Sequence, residues 1–594
     1  MRLIVPYVDE VDAVDKRLMA LAEFLGIPCE TLLLDRDTYH HAEFLERAVS
    51  DRRACFVVNP RVLQQWGHEG TVTAELVSCL ASRFPHLFIH GLRAASFDSS
   101  LIAALSQGRI QSVQAIDSAD AVYEVEKDTK DVCEAFAGLR FGPTNLGKDH
   151  VLVGLPSVPH ERRLISIDGR SFMTCLKHGN TEILILGSED VVDLDSVAGD
   201  SPLTQHFSRL VAPVMALRHI FGEQCWRPVE QHACVIIDDP LLRRNYGFLN
   251  FETLAGLVEK HNFHTSIAFI PHNYRRNSSQ IVDMFRNNSA RLSICFHGCD
   301  HTEAEMASTD GTLLNTILRI AELRMSRHEA SAGLVCDKVM VFPQGAFSIE
   351  AMKVLKSRNF LAAVNTLPHP LGQREPLTVR ELIQPAVTRY AGFPLFLRRY
   401  VKAIQSQEIA FNLLFGKPVL IVEHHEIFKH PELLVDAVRK VNSLAPGIQW
   451  SRLENAVSGA VLKRTAPVGT QQVRAFSGTV KIFNDSNRTE TFSIEWNYPD
   501  ASCSLEQVLN DGTPCDDMEV SESRVQLSAR LQPLSSATFS LLHRNLDSTR
   551  STLGFQSNAK AFVRRRLSEL RDNQLSRFPR LRNAAQTLRQ RYLG

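Results

Sequence analysis

The chain has 594 residues, 44% of them hydrophobic and 22% charged, with 66 basic side chains balanced by 66 acidic ones. It is too long for one hydrophobic core, so three or so domains are expected. A net charge of zero gives no global pull toward nucleic acid, which is excluded as a partner class, although local charge asymmetry still counts. The twelve cysteines form no CxxC pair. Cys234, Cys295 and Cys336 sit in apolar runs, as small buried hydrophobes of a reducing compartment do. The opening MRLIVPYVDEVD has a short apolar stretch followed by acids, unlike a secretory leader. No uncharged apolar run reaches the length of a membrane span. A cytoplasmic protein is the expectation.

Residues 1–205 read as a doubly wound α/β domain. LIVPYV (3–8) is a buried strand, and Val14, Leu18, Leu21 and Leu25 follow at helical spacing. Further strands are expected at 30–35, 54–59, 86–91, 150–155 and 182–187. Strands separated by helices point to a mostly parallel sheet. No GxGxxG or GxxxxGK[ST] follows any of them, so a binding or positioning role is expected rather than a nucleotide site. The segment 207–226 reads as a helix leading into the next domain.

Between 230 and 455 the βα rhythm resumes, and an irregular (β/α) barrel is expected. Strands fall at 233–238, 265–271, 291–296, 338–343, 360–365 and 418–423, with helices at 251–261 (capped by Asn250), 278–287, 311–325 and 348–358. Phe251, Leu254, Leu257 and Val258 carry the spacing of a buried helical face. Polar, metal-capable residues gather at the strand ends: Asp238 and Asp239, His272, His297, Gln344, then His424 and His425. In a (β/α) barrel those ends share one face, where chemistry is built.

From about 468 to 545 the period changes to two. Residues 473–484 and 489–497 read as an antiparallel hairpin around Asp485-Ser486-Asn487, with Phe492, Ile494 and Trp496 alternating inward. Val525, Leu527 and Leu531, then Phe539 and Leu541, alternate likewise, as in a small β-sandwich of accessory role. Residues 555–594 read as a basic helical tail, with ten basic and two acidic residues from 560 onward. Val563, Leu567 and Leu570, then Leu581, Ala584, Leu588 and Tyr592, fall at helical spacing, which Pro579 breaks. Such a tail either packs on its own protein or, with Phe562 and the leucines, docks on an anionic membrane surface. The latter would place the protein at the inner face of the membrane.

The chemistry sits in ACVIIDDP (233–240) and CFHGCDH (295–301). A catalytic zinc-type site needs three protein ligands and an open position. Histidines four apart meet one ion if the chain turns between them, and Gly298 permits a tight turn. Consecutive aspartates at a strand end diverge, so one can ligate while the other takes a proton from water.

IIDDP and HGCDH resemble the first two motifs of the polysaccharide deacetylase (NodB-homology) family, TFDDG and H[ST]xxH. The resemblance covers roughly residues 230–450. It implies removal of acetyl groups from N- or O-acetylated sugars, with Asp238 as general base and Asp239, His297 and His301 as ligands. The divalent ion implied is zinc first, with cobalt, nickel or manganese as alternatives. The third motif, similar to RPPYG, appears here as VMVFPQGAFS (339–348), which keeps Pro343 and Gly345 and has Val341 near the position of the base-orienting arginine. Arg243, Arg389, Arg398 and Arg399 are the candidate replacements, and Pro343, Gln344, Gly345 and Arg389 the candidate substrate contacts. The tryptophan-bearing fourth motif is not recognisable. VLIVEHHEIF (419–428) loosely resembles the fifth, making one of His424 and His425 the general acid, with strand alternation leaning to His424. The expected substrate is an acetylated sugar or glycan precursor. Two other readings are an amide hydrolase acting on a non-sugar substrate and a catalytically silent carbohydrate-binding protein.

Overall fold

The computed structural model describes all residues except 36–43, 46–52, 67–73, 117–120, 143–148, 155–160, 199–201, 303, 374, 468, 498–504, 516, 545–554 and 574–594. The chain divides into two compact units. One is Met1–Arg227 with Pro376–Leu382 and Lys463–Thr470; the other is Pro228–Glu375, Ile383–Leu462 and the chain from Gln471. No helix among the described residues is long and apolar enough to cross a membrane.

The described residues of the first unit form an eleven-stranded sheet. Its leading part is parallel: Arg2–Tyr7 lies between Cys29–Leu33 and Ala54–Val58, which in turn pairs with His86–Ile89. The expected doubly wound pattern stops there. Thr181–Leu186 joins His86–Ile89 in parallel, but Ile110–Ile116, Asp149–Gly154, Glu161–Ile167 and Arg170–His178 all pair antiparallel. The sheet is mixed for a local reason. Asp168 (φ 50°) and Gly169 (φ 76°) turn Glu161–Ile167 back into Arg170–His178, the left-handed pair that a two-residue hairpin requires. Such a turn leaves no chain for the crossover that a parallel pair needs. Residues 207–226 form a π-helical turn, Phe207–Val211, running into helix Ala212–Phe221.

In the second unit, seven parallel strands of the described residues pair in chain order: His232–Asp238, Thr265–Phe269, Leu292–Phe296, Cys336–Val341, Ala362–Asn365, Leu395–Tyr400 and Val419–Glu423. The last pairs back to the first, which closes a barrel. The first three are buried at every position, as strands covered on both faces must be. Leu395–Tyr400 is the strand the sequence pattern conceals, because two arginines and a tyrosine follow its short apolar start. Helices cover the outside: Phe251–His261, whose Asn250 cap accepts from Thr253 N at 2.9 Å, then Ser279–Asn287, Gly311–Ala332 and Ile349–Ser357. Parallel strands bring all seven carboxyl ends to one face.

Past Gln471, two sheets enclose a core that includes Val473, Val480, Phe492, Ile494, Trp496 and Phe539. The expected hairpin between 473–484 and 489–497 does not form. Gln471–Ala475 pairs in parallel with Glu490–Asn497, whereas Thr479–Phe483 pairs antiparallel with Ser536–His543 in the other sheet. The chain changes sheets at Phe476–Gly478, where Ser477 O accepts from Trp496 Nε1 at 3.0 Å. That switch lets Val473 and Val480 line the same core from opposite sides. Of the tail, helix Phe555–Asn573 is described. Leu581, Ala584, Leu588, Tyr592 and Pro579 lie outside the described residues.

Candidate active site and metal centre

Strand His232–Asp238 delivers two aspartates into different surroundings. Asp238, 3% exposed, receives Arg398 in a two-pronged pair: Nη1 donates to Oδ1 and Nη2 to Oδ2, each at 2.7 Å. Burial pushes this carboxyl up, but Arg398 and then His297 outweigh it and hold it below the usual range. Arg398 is thus the one of the four candidate arginines that reaches the aspartate. It comes from Leu395–Tyr400, two strands along the sheet, with Val419–Glu423 between them. Arg243 instead donates to Arg276 O and Arg399 to Thr366 O, while Arg389 is exposed near the bridge between Val387 and Leu395.

The chain leaves the strand at Asp239 with φ 82°, a conformation that costs a non-glycine residue about 1–2 kcal/mol. The turn sends Asp239 Oδ1 to 3.5 Å from His297 Nε2 and 3.2 Å from His301 Nε2. That oxygen is buried and has no hydrogen-bond partner among the described residues. Burial would raise Asp239, yet His301 and His297 keep it well below the ordinary value. His297 Nδ1 lies 3.0 Å from Val341 O, which fixes the tautomer with the proton on Nδ1 and the lone pair of Nε2 toward Asp239. An orphaned buried carboxylate oxygen between two imidazole nitrogens is the donor set of a zinc-type ion. The residues fit the metal that the motif resemblance implies.

The loop carrying the histidines is folded around Glu305. Its carboxylate accepts from the backbone N–H of Cys299, Asp300, His301 and Thr302 at 2.8–3.3 Å. A Cβ on Gly298 (φ 63°) would collide with that carboxylate and with Pro343 Cγ. Asp300 binds the loop outward, accepting from Arg324 Nη1 at 2.5 Å and lying 3.0 Å from His272 Nδ1. Gln344 Oε1 accepts from Ala304 N at 3.1 Å, and Gly345 O accepts from Asn365 Nδ2 at 2.9 Å. Pro343 and Gln344 therefore brace the histidine loop from the neighbouring strand end, while Gly345 is tied to the end of Ala362–Asn365.

The two distal histidines part company. His424 stacks on Tyr400 (centroids 6.3 Å, 16°) and lies in charge range of both aspartates. His425 turns away and is buried: its ring stacks on Phe248 and meets Tyr246 edge-on, and Nε2 lies 3.9 Å from Asp572. Asp572 belongs to the C-terminal helix, whose last turn packs on the barrel. Tyr246 OH donates to Asp572 Oδ2 and Gly247 N to Asn573 Oδ1, both at 2.8 Å, while Arg276 Nη2 donates to Glu569 Oε2 at 2.6 Å. Tyr246 and Gly247 lie on the segment that leaves the first strand after Asp239, and Arg276 follows the next strand. What the described part of the tail binds is the rim of its own barrel. Arg571, with Nε on Asp572 at 2.6 Å, is left in the electrostatic field of Asp239.

Glu305, Tyr400, Arg571 and Asp572 are the neighbours of this candidate site that sequence reasoning misses. Glu305, four residues beyond His301, offers a short-range signal of a loop acceptor; the helix residues offer none.

No family model matches the chain, and no curated protein matches it. Among solved structures it is similar to Agd3, described as a novel carbohydrate deacetylase, at 9% identity with a TM-score of 0.47, over 91% of this chain and 98% of that one. It is also similar to the CE4 domain of a multidomain xylanase from the hindgut metagenome of Trinervitermes trinervoides, at 11% identity with a TM-score of 0.24, over 38% of this chain and 89% of that one. A family 4 carbohydrate esterase from Streptomyces lividans, in complex with acetate, is similar at 11% identity with a TM-score of 0.23, over 37% of this chain and 91% of that one. At scores and identities this low the likenesses decide nothing about chemistry, which has to come from the side chains.

Proposed function

We propose that the chain is a metal-dependent hydrolase that removes acetyl groups from an N-acetylated, or O-acetylated, sugar or glycan precursor. One observation carries the reading: the buried, unpartnered Asp239 Oδ1 faces Nε2 of His297 and His301 beside an Asp238 clamped by Arg398. A divalent ion held by Asp239, His297 and His301 would supply Lewis acidity to the acyl carbonyl and the attacking water. The side chains do the rest. Arg398 uses one lone pair of each Asp238 oxygen and leaves another on each, so the carboxylate stays ionised, oriented and able to accept the water proton. The water oxygen bonds to the acyl carbon and the carbon–nitrogen bond breaks. His424, positioned by Tyr400, gives its proton to the leaving nitrogen, releasing an amino sugar and acetate.

The test is metal analysis of the purified chain followed by acetate release from a panel of acetylated sugars. One divalent ion lost on His297→Ala, together with acetate release that stops when the ion is stripped, is expected. A chain that retains no metal, or deacetylates after stripping, overturns the reading.

A further inference from the structure

The barrel site uses none of the titratable groups of the first unit, yet one cluster there is assembled from metal-ligating types. Cys175 lies on Arg170–His178, Glu182 on Thr181–Leu186 and His86 at the start of His86–Ile89, three neighbouring strands. Lys177 is the register partner of Glu182, so Cys175, two residues along, emerges on the same face as its diagonal neighbour. Glu182 and His86 are themselves register partners. Helix Ala212–Phe221 lies against this sheet and supplies His219. Cys175 Sγ is 3.4 Å from Glu182 Oε1, while His219 Nε2 and His86 Nδ1 are each 3.2 Å from Glu182 Oε2.

The ligating atoms of Cys175, Glu182 and His219 lie within 4.8 Å of one another. Around a tetrahedral ion with bonds of about 2.0–2.3 Å, ligand atoms stand roughly 3.3–3.8 Å apart, so only small side-chain adjustments separate these three from a coordination shell, which His86, 3.2 Å from Glu182, would complete by turning its ring. His86 adds a second pointer. Its Nδ1 is buried and makes no hydrogen bond of proper geometry among the described residues, although it faces the same carboxylate. Charge points the same way. A thiolate, a carboxylate and two neutral imidazoles balance one divalent ion, and sulfur with imidazole is the donor mixture that zinc prefers.

We propose that Cys175, Glu182, His219 and His86 form a second divalent-metal site, a closed zinc-type site of four protein ligands that fastens helix Ala212–Phe221 to the sheet. With no open position it plays no part in hydrolysis. The proposal stands independently of the barrel reading.

Sulfur makes the site separately visible, since the barrel ligands are one aspartate and two histidines. Cobalt(II) loaded into the full-length chain is expected to give a thiolate-to-cobalt charge-transfer band in the near ultraviolet. The band should survive His297→Ala and vanish in Cys175→Ala, with His219→Ala weakening it. Mass spectrometry of the native metal content should then fall by one ion per chain in Cys175→Ala. A wild-type chain that binds cobalt without the band, or a band that persists in Cys175→Ala, overturns the proposal.

Discussion

The carboxyl and amino ends of the barrel each carry a buried aspartate paired with an arginine, and a buried histidine. At the carboxyl end Arg398 clamps both oxygens of Asp238. At the amino end Arg452 Nε reaches one oxygen of Asp337, and its Nη2 is spent on Val335 O at 3.2 Å. Burial raises both carboxyls. Arg398 and His297 reverse this at Asp238, whereas at Asp337 burial outweighs Arg452 and pushes the carboxyl up to about 7. The histidines differ in the same sense. His264 commits both nitrogens, to Ala290 O at 3.0 Å and Ser293 Oγ at 2.9 Å. His297 commits only Nδ1 to the backbone and turns Nε2 to Asp239. Residue type does not separate the end that supports the barrel from the end fitted for chemistry. What separates them is the polar capacity left over, here the Asp239 oxygen between two imidazoles.

The sharpest way to break this comparison is one substitution made at both ends. Asp238→Asn removes a base and not a ligand, so hydrolysis should fall on the order of 10²–10⁴-fold with the metal retained. Asp337→Asn is expected to leave turnover of the folded protein unchanged. Equal metal loss in Asp238→Asn and Asp239→Asn would show the two aspartates to be misassigned. Next in size is Arg398→Ala, which strands a buried carboxylate and should cost about 3–5 kcal/mol in urea unfolding as well as activity. Arg398→Lys restores the charge without the fork and should recover stability more than activity.

The histidine contrast is tested by pH. Burial lowers His264 from 6.5 to about 4. The unfolded chain therefore binds the extra proton between those values, and stability present above 6.5 is lost as pH falls toward 4. The difference in unfolding free energy between wild type and His264→Asn should shrink by roughly 3 kcal/mol across that window. Taking the difference cancels the opposite slope from Asp337. A flat difference would mean that His264 is protonated in the folded barrel.

Much of the barrel, and the gathering of Asp239, His297 and His301 at its carboxyl end, could be read directly, because each depends on short-range pattern. Apolar runs separated by helical spacing mark six of the seven strands, and Asp239, His297 and His301 stand in two compact motifs at strand ends. The seventh strand escaped because Arg398 and Arg399 break its apolar run, and Arg398 is buried only because Asp238 is there to receive it. The choice between His424 and His425 likewise depends on Tyr400, 24 residues before His424, and on Asp572, 147 residues after His425. The mixed first sheet shows the opposite case: Asp168-Gly169 is a local hairpin signal that outweighs the βα rhythm around it. Strand exchange at Phe476–Gly478 follows from which side of a core Val480 must fill, and that is set by the other sheet.

The smallest expected effect concerns what covers the carboxyl end and not the amino end. Helix Phe555–Asn573 is fastened there by Tyr246, Gly247 and Arg276, all on loops that leave the first two barrel strands. Asp572 is buried by this docking and holds Arg571 through Nε, while the Arg571 side chain stays 56% exposed. A guanidinium fixed at Nε presents its outer Nη edge, two parallel donors suited to sugar hydroxyls or a carboxylate. A charge-assisted hydrogen bond contributes about 1.5–3 kcal/mol when shielded, and the exposure of this one argues for the lower end. Arg571→Ala should therefore raise KM by about tenfold on the acetylated sugar identified by acetate release, with kcat little changed, because the contact is the same in the ground and transition states. A chain ending at residue 554 should show at least the same KM increase. Unchanged kinetics in both would mean that the helix braces the rim without meeting substrate.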